Sequence, residues 1–183
     1  QADPVRDKTD TVHLDWEQLR CWNEFDIHPL SPQPFLTPEF KPLWMAALAS
    51  SDRELRRNAI LAIGVAHKGG YLDFTDVAED LRAILNGDDV RTETRIDAAR
   101  TLVILDARTA APDLMNQSGN APELRQIAER AFADWNDMPA RDMWMSRLAE
   151  PAGVPHSHLA LAIRGLATVG HKAAADPVRK IVL

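Results

Sequence analysis

One five-residue pattern recurs four times and limits what this chain can become. It runs Ala, any residue, Arg or Leu, a small or polar residue, then a large apolar one. The copies are Ala59-Ile60-Leu61-Ala62-Ile63, Ala98-Ala99-Arg100-Thr101-Leu102, Ala128-Glu129-Arg130-Ala131-Phe132 and Ala162-Ile163-Arg164-Gly165-Leu166. Successive copies start 39, 30 and 34 residues apart. A period of this size marks a repeat architecture, in which each unit buries its apolar face by stacking on the next. The Ala and the large apolar residue stand one helical turn apart and share a face. A small side chain there lets helices approach toward the short end of the usual separation of about 8–10 Å.

Read outward from these copies, the chain resolves into helix pairs. Thr37 followed by Pro38 reads as a cap and first turn, opening a helix with Phe40, Leu43, Trp44, Ala47 and Leu48 at helical spacing. Ser51-x-x-Glu54 reads as a capping box that starts the next helix. Leu55, Ala59, Ala62, Ile63 and Ala66 share one face of that helix, and Gly69-Gly70 ends it. Val77, Leu81, Ile84 and Leu85 mark a third helix ending at Gly87. Ile96, Ala98, Ala99, Leu102, Val103 and Leu105 mark a fourth. The stretch Ala110 to Met115 gives only a short helix. After it, Asn120 is the expected cap of a helix with Pro122 and Glu123 in its first turn, and with Leu124, Ile127, Ala128, Ala131 and Trp135 facing inward. Met143, Trp144, Arg147 and Leu148 precede a break at Pro151 to Pro155. Leu159, Ala162, Ile163, Leu166 and Val169 follow, stopped by Gly170. Asp176-Pro177 restarts a helix carrying Val178, Ile181, Val182 and Leu183. The pairs fall at about 38–70, 74–107, 109–137 and 140–171, with a partial fifth at 175–183. This last piece reads as a repeat cut short, as in a fragment of a longer protein. No convincing strand appears.

Residues 1–37 differ. They hold four prolines and few periodic apolar stretches. Each proline fixes its own φ and pushes its predecessor out of the helical region. This segment reads as an irregular arm capping the first repeat, with Trp16 and Trp22 either docked on that repeat or offered to a partner. Cys21 is the one cysteine, so no intrachain disulfide and no CxxC metal site exist. The chain opens Gln-Ala-Asp-Pro, which fits an extracytoplasmic protein after signal-peptide removal, or a trimmed terminus. No apolar run approaches the roughly 20 residues of a membrane span. With a net charge of −6, a general nucleic-acid surface is disfavoured.

The alternation resembles HEAT repeats, an armadillo-like architecture, and in particular the short form first described in phycobilisome lyases. Asp52-x-x-Leu55-Arg56-x-x-Ala59 and Asp89-Val90-Arg91 followed by Ala98-Ala99-Arg100-Thr101-Leu102 carry the resemblance. Leu159 to Leu166 and Asp176-Pro177-Val178-Arg179 match it less fully. It covers about residues 38–183. It implies an all-α fold: a right-handed α-α superhelix, or HEAT-like solenoid, of about four helix pairs. The function it implies is non-enzymatic protein–protein interaction or scaffolding. The alternatives are a lyase or lyase-accessory module acting on a prosthetic group and, ranked below it, a nucleic-acid-binding HEAT-like protein.

Chemistry is hard to place on this chain. It lacks GxGxxG, GxxxxGK[ST] and GxSxG motifs, and no metal or cofactor site is expected. None of the six His is followed by Glu, which argues against a HEAT-type metal hydroxylase. His156 and His158 are two apart, point in different directions on a helix, and read as a solvated helix start. Asp73, Asp76, Glu79 and Asp80 read as helix-start carboxylates favoured by the dipole. Trp44, Trp135 and Trp144 fall on apolar helix faces and read as core. The sharpest surface feature is an expected arginine column, Arg100, Arg130 and Arg164, at one repeat position. It would meet a protein or acidic peptide through forked hydrogen bonds, with Asp97 and Glu129 placed to neutralise it.

Overall fold

The computed structural model describes residues 39–182, which belong to the unit Leu36–Leu183. The expected arm over 1–37, with Trp16, Cys21 and Trp22, lies outside the described residues. So do the Thr37-Pro38 helix start and Leu183. Among the described residues there are helices and no strands. The helices are α1 (Phe40–Leu48), α2 (Arg53–Lys68), α3 (Ala78–Asn86), α4 (Thr92–Ile104), α5 (Ala111–Gln117), α6 (Pro122–Trp135), α7 (Met138–Ala149), α8 (His156–Thr168) and α9 (Ala175–Val182). Short 3-10 turns at Thr75–Val77, Arg108–Ala110 and Lys172–Ala174 lead into α3, α5 and α9.

Two layers result. α1, α3, α5 and α7 each pack on the helix that follows in sequence, and α2, α4, α6 and α8 pack side by side as a continuous second layer. α9 rests on α7. This is an all-α solenoid.

The recurring pattern is the packing code of that second layer. Its first position, Ala59, Ala98, Ala128 and Ala162, is buried in every copy. So is its fifth, Ile63, Leu102, Phe132 and Leu166. Its third, Leu61, Arg100, Arg130 and Arg164, is exposed in every copy. Small fourth-position residues lie at close approaches. Thr101 Oγ1 donates to the Ile60 carbonyl 3.2 Å away across α2 and α4. A Cβ on Gly165 would meet the Trp144 ring at 2.7 Å, so α8 passes α7 at a distance only glycine allows.

The four second-layer helices also end alike. Gly70, Asp106, Asn136 and Gly170 adopt positive φ of 69, 51, 59 and 63°. The next amide then bonds six-to-one to Ala66, Leu102, Phe132 and Leu166 respectively. These are Schellman-type endings, which satisfy carbonyls that the helix leaves unpaired. In α4, α6 and α8 the carbonyl that accepts belongs to the fifth residue of the pattern. In α2 it belongs to Ala66, about one turn further on, so α2 runs a turn past its partners.

Several local expectations are corrected. The cap of α2 is Asp52, not Ser51: its carboxylate accepts from the amides of Glu54 and Leu55 at 2.9 and 3.0 Å. Leu55 is exposed and Ala62 half-buried; Ile60 and Gly64 join Ala59, Ile63 and Ala66 inside instead. Asn120 does not cap α6: its side chain donates to Gln117, and Ala121 holds the cap position without a side-chain bond. Nearer the start of the chain, α1 is fastened by Trp44 stacking on buried Phe74 at 5.6 Å. Lys41 adds to this, bonding the Asp73 carbonyl and the Asp76 carboxylate.

Candidate functional site

The third pattern position is where the second layer meets solvent, and its four residues differ in environment. Leu61 on α2 is an exposed apolar side chain. Arg100 on α4 is engaged: its guanidinium lies 3.5 Å from Asp97 and 4.0 Å from Glu123. Arg130 on α6 and Arg164 on α8 are exposed, and among the described residues neither guanidinium has a hydrogen-bond or ion-pair partner. The expected three-membered column is therefore a free pair beside a neutralised neighbour.

The free pair lines one open groove of about 780 Å³ between α6 and α8. Ile127, Ala133, Ala160 and Leu161 supply apolar walls, and Ser157 and Thr168 supply hydroxyls. Arg100 does not line it. Asp134, one turn beyond Arg130, is the exposed carboxylate on its rim.

Glu129 also reaches the groove, but its charge is spent inward. Its place beside Arg130 in the sequence suggests that the two neutralise each other. Instead its carboxylate accepts from Trp144 Nε1 at 2.9 Å and from Arg147 Nη1 at 2.7 Å. Both donors belong to α7, packed beneath. A buried carboxylate requires such partners. In the preceding repeat Asp97 has the equivalent role: it is buried and takes Arg57 Nε at 2.7 Å. That bond ties α2 to α4 and pushes the Arg57 pKa up, through the hydrogen bond first and the charge second.

His158 corrects the reading of a solvated helix start. His156 is exposed, but His158 is half-buried, and its Nε2 is in hydrogen-bond contact with Arg125 Nη1 on α6. Its pKa is lowered, first by burial and then by the nearby charges of Arg125 and Arg147, with Glu129 opposing. The ring is therefore neutral near pH 7, its Nε2 accepting from Arg125. Asp73 is used locally too. Its carboxyl is held below the ordinary value chiefly by hydrogen bonds from Thr75.

Among the described residues no cluster of three or more His, Cys, Asp or Glu side chains is arranged to hold a metal ion, and no helix is long and apolar enough to cross a membrane. Trp144 is fully buried, as expected, while Trp44 and Trp135 are half-buried against the core.

Stacked helix pairs with a regular exposed position define an α-solenoid. The family model for HEAT repeats matches residues 42–133, and the chain belongs to the HEAT repeat family. The match does not separate the short phycobilisome-lyase form from other HEAT repeats. Comparison with curated proteins and with solved structures finds no match.

Proposed function

We propose that this chain is a non-enzymatic protein-interaction module that takes an acidic partner segment in the groove between α6 and α8. HEAT repeats are in general protein-interaction scaffolds. The observation that carries the reading is the pair Arg130 and Arg164: equivalent positions on adjacent helices, both exposed, both unpaired, both lining one groove. A planar guanidinium presents two parallel donors to a carboxylate. Two of them on a rigid scaffold, next to apolar walls, suit a peptide carboxylate pair with an aliphatic neighbour. Holding side chains free of internal acids leaves their hydrogen-bonding capacity for a partner.

The test is fluorescence polarisation with a labelled hexaglutamate peptide at low salt. Binding is expected to fall at least tenfold in the Arg130→Gln/Arg164→Gln variant, with the melting temperature unchanged. Arg108→Gln, which removes a surface arginine paired with Asp106, is expected to leave binding intact. Equal binding by the double variant and the wild type refutes the reading.

A further inference from the structure

We infer that the second-layer face is bipartite, and that its partner is a single extended segment with an apolar end and an acidic end. This inference rests on the reading above and extends it across the layer.

The pattern's third position and the position one turn later both face solvent on all four helices. On α2 they are Leu61 and Val65, and on α4 Arg100 and Ile104. On α6 they are Arg130 and Asp134, and on α8 Arg164 and Thr168. All eight are exposed. Leu61, Val65 and Ile104 count among the large exposed apolar side chains. Leu61 and Val65 stand one turn apart on α2, and Ile104 reaches that same turn from α4: its Cδ1 methyl lies 3.6 Å from where a Cβ on Gly64, between them in sequence, would stand. The face therefore runs from an apolar α2–α4 end, past Arg100 held by Asp97 and Glu123, to the free cations of α6 and α8.

A patch of exposed aliphatics next to a charged groove calls for a partner that matches both. An acidic segment alone leaves the aliphatics wet. An apolar segment alone leaves Arg130 and Arg164 unanswered. Neighbouring helices stand about 8–10 Å apart, so α2 to α8 spans on the order of 27 Å. An extended chain covers that in about eight or nine residues. The partner is thus a short linear segment crossing the helices, with aliphatic residues over α2–α4 and carboxylates over α6–α8.

The probes are fluorescein-labelled nonapeptides with two leucines at one end and two glutamates at the other, made in both chain directions, plus one of the same composition with these residues alternating. Polarisation is expected to give a Kd at least fivefold lower for one block peptide than for the alternating peptide. Leu61→Ser/Val65→Ser is expected to weaken the block peptide at least fivefold while leaving hexaglutamate binding and the salt dependence unchanged. Both side chains are exposed, so the melting temperature serves as the check on folding. If hexaglutamate binds through Arg130 and Arg164 but the block and alternating peptides bind alike, the bipartite inference falls and the acidic groove stands. If no acidic peptide binds, both fall.

Discussion

Replacing Gly165 with Ala adds one methyl group where α8 passes close over the Trp144 ring of α7, beside the groove. The new Cβ would stand 2.7, 2.7 and 2.8 Å from three atoms of the Trp144 ring. Ordinary contact begins near 3.4 Å, so the ring or α8 must withdraw by about 0.7 Å. The ring is poorly placed to yield. It is fully buried, and its Nε1 is bonded to Glu129, which is bonded in turn to Arg147. Overpacking of this kind costs about 1–3 kcal/mol. For a domain of this size each kcal/mol is worth about 2–4 °C, so Tm is expected to fall by roughly 2–12 °C. Thermal unfolding followed by circular dichroism at 222 nm reads it directly. Gly119→Ala is the control, since its Cβ meets nothing within 4 Å and its φ is not positive; it is expected to be neutral or slightly stabilising. Trp144→Phe shortens the ring, so combining it with Gly165→Ala is expected to cost less than the sum of the two singles. A neutral Gly165→Ala, or strict additivity in that double variant, refutes the argument that this glycine exists to admit the tryptophan.

The other expectations follow from caps, buried charge and titration. Gly70→Ala and Gly170→Ala meet no steric neighbour but force an L-residue into the left-handed region, so each is expected to cost about 1 kcal/mol in chemical denaturation. Glu129→Ala strands Trp144 Nε1 and Arg147 inside the α6–α7 contact and is expected to cost about 3 kcal/mol, whereas Asp134→Ala on the rim stays within about 0.5 kcal/mol. The lowered pKa of His158 means the unfolded chain takes up its proton first. Its contribution to stability is therefore complete above the ordinary histidine value of 6.5 and is lost as pH falls below it. Urea midpoints between pH 7.5 and 5 are expected to fall less in His158→Gln than in the wild type.

The packing register is legible in the sequence because alanine and a large apolar residue one turn apart have a single use in stacked helices. Gly70 and Gly170 are legible as stops for the same reason that they work: glycine accepts positive φ. Asp106 and Asn136 fill the same role without announcing it, because both residue types are common elsewhere. The signal that marks them is their spacing, four residues after Leu102 and Phe132. Asp52 displaces Ser51 as a cap because Ser50, Ser51 and Asp52 all qualify by type, and only backbone geometry decides among them. At the groove, the exposure of Arg130 and Arg164 follows from periodicity. The neutralisation of Arg100 is only half legible: Asp97 is its i,i+3 neighbour on α4, while the contact with Glu123 depends on where the α5–α6 loop sets that residue. The pairing of Glu129 is hidden because its partners lie 15 and 18 residues onward on the next helix, beyond the reach of neighbour arguments along one helix.

The central claim is that the free arginines of α6 and α8 form the docking site, and an amide chemical-shift map tests it most directly. A ¹⁵N-labelled sample titrated with hexaglutamate is expected to show shifts concentrated at Arg130, Ala133, Arg164 and Thr168, with Arg100 little affected. Shifts of equal size at the exposed arginines elsewhere, such as Arg53, Arg108 and Arg179, would mean that the peptide reads bulk charge rather than this groove, and would contradict the account.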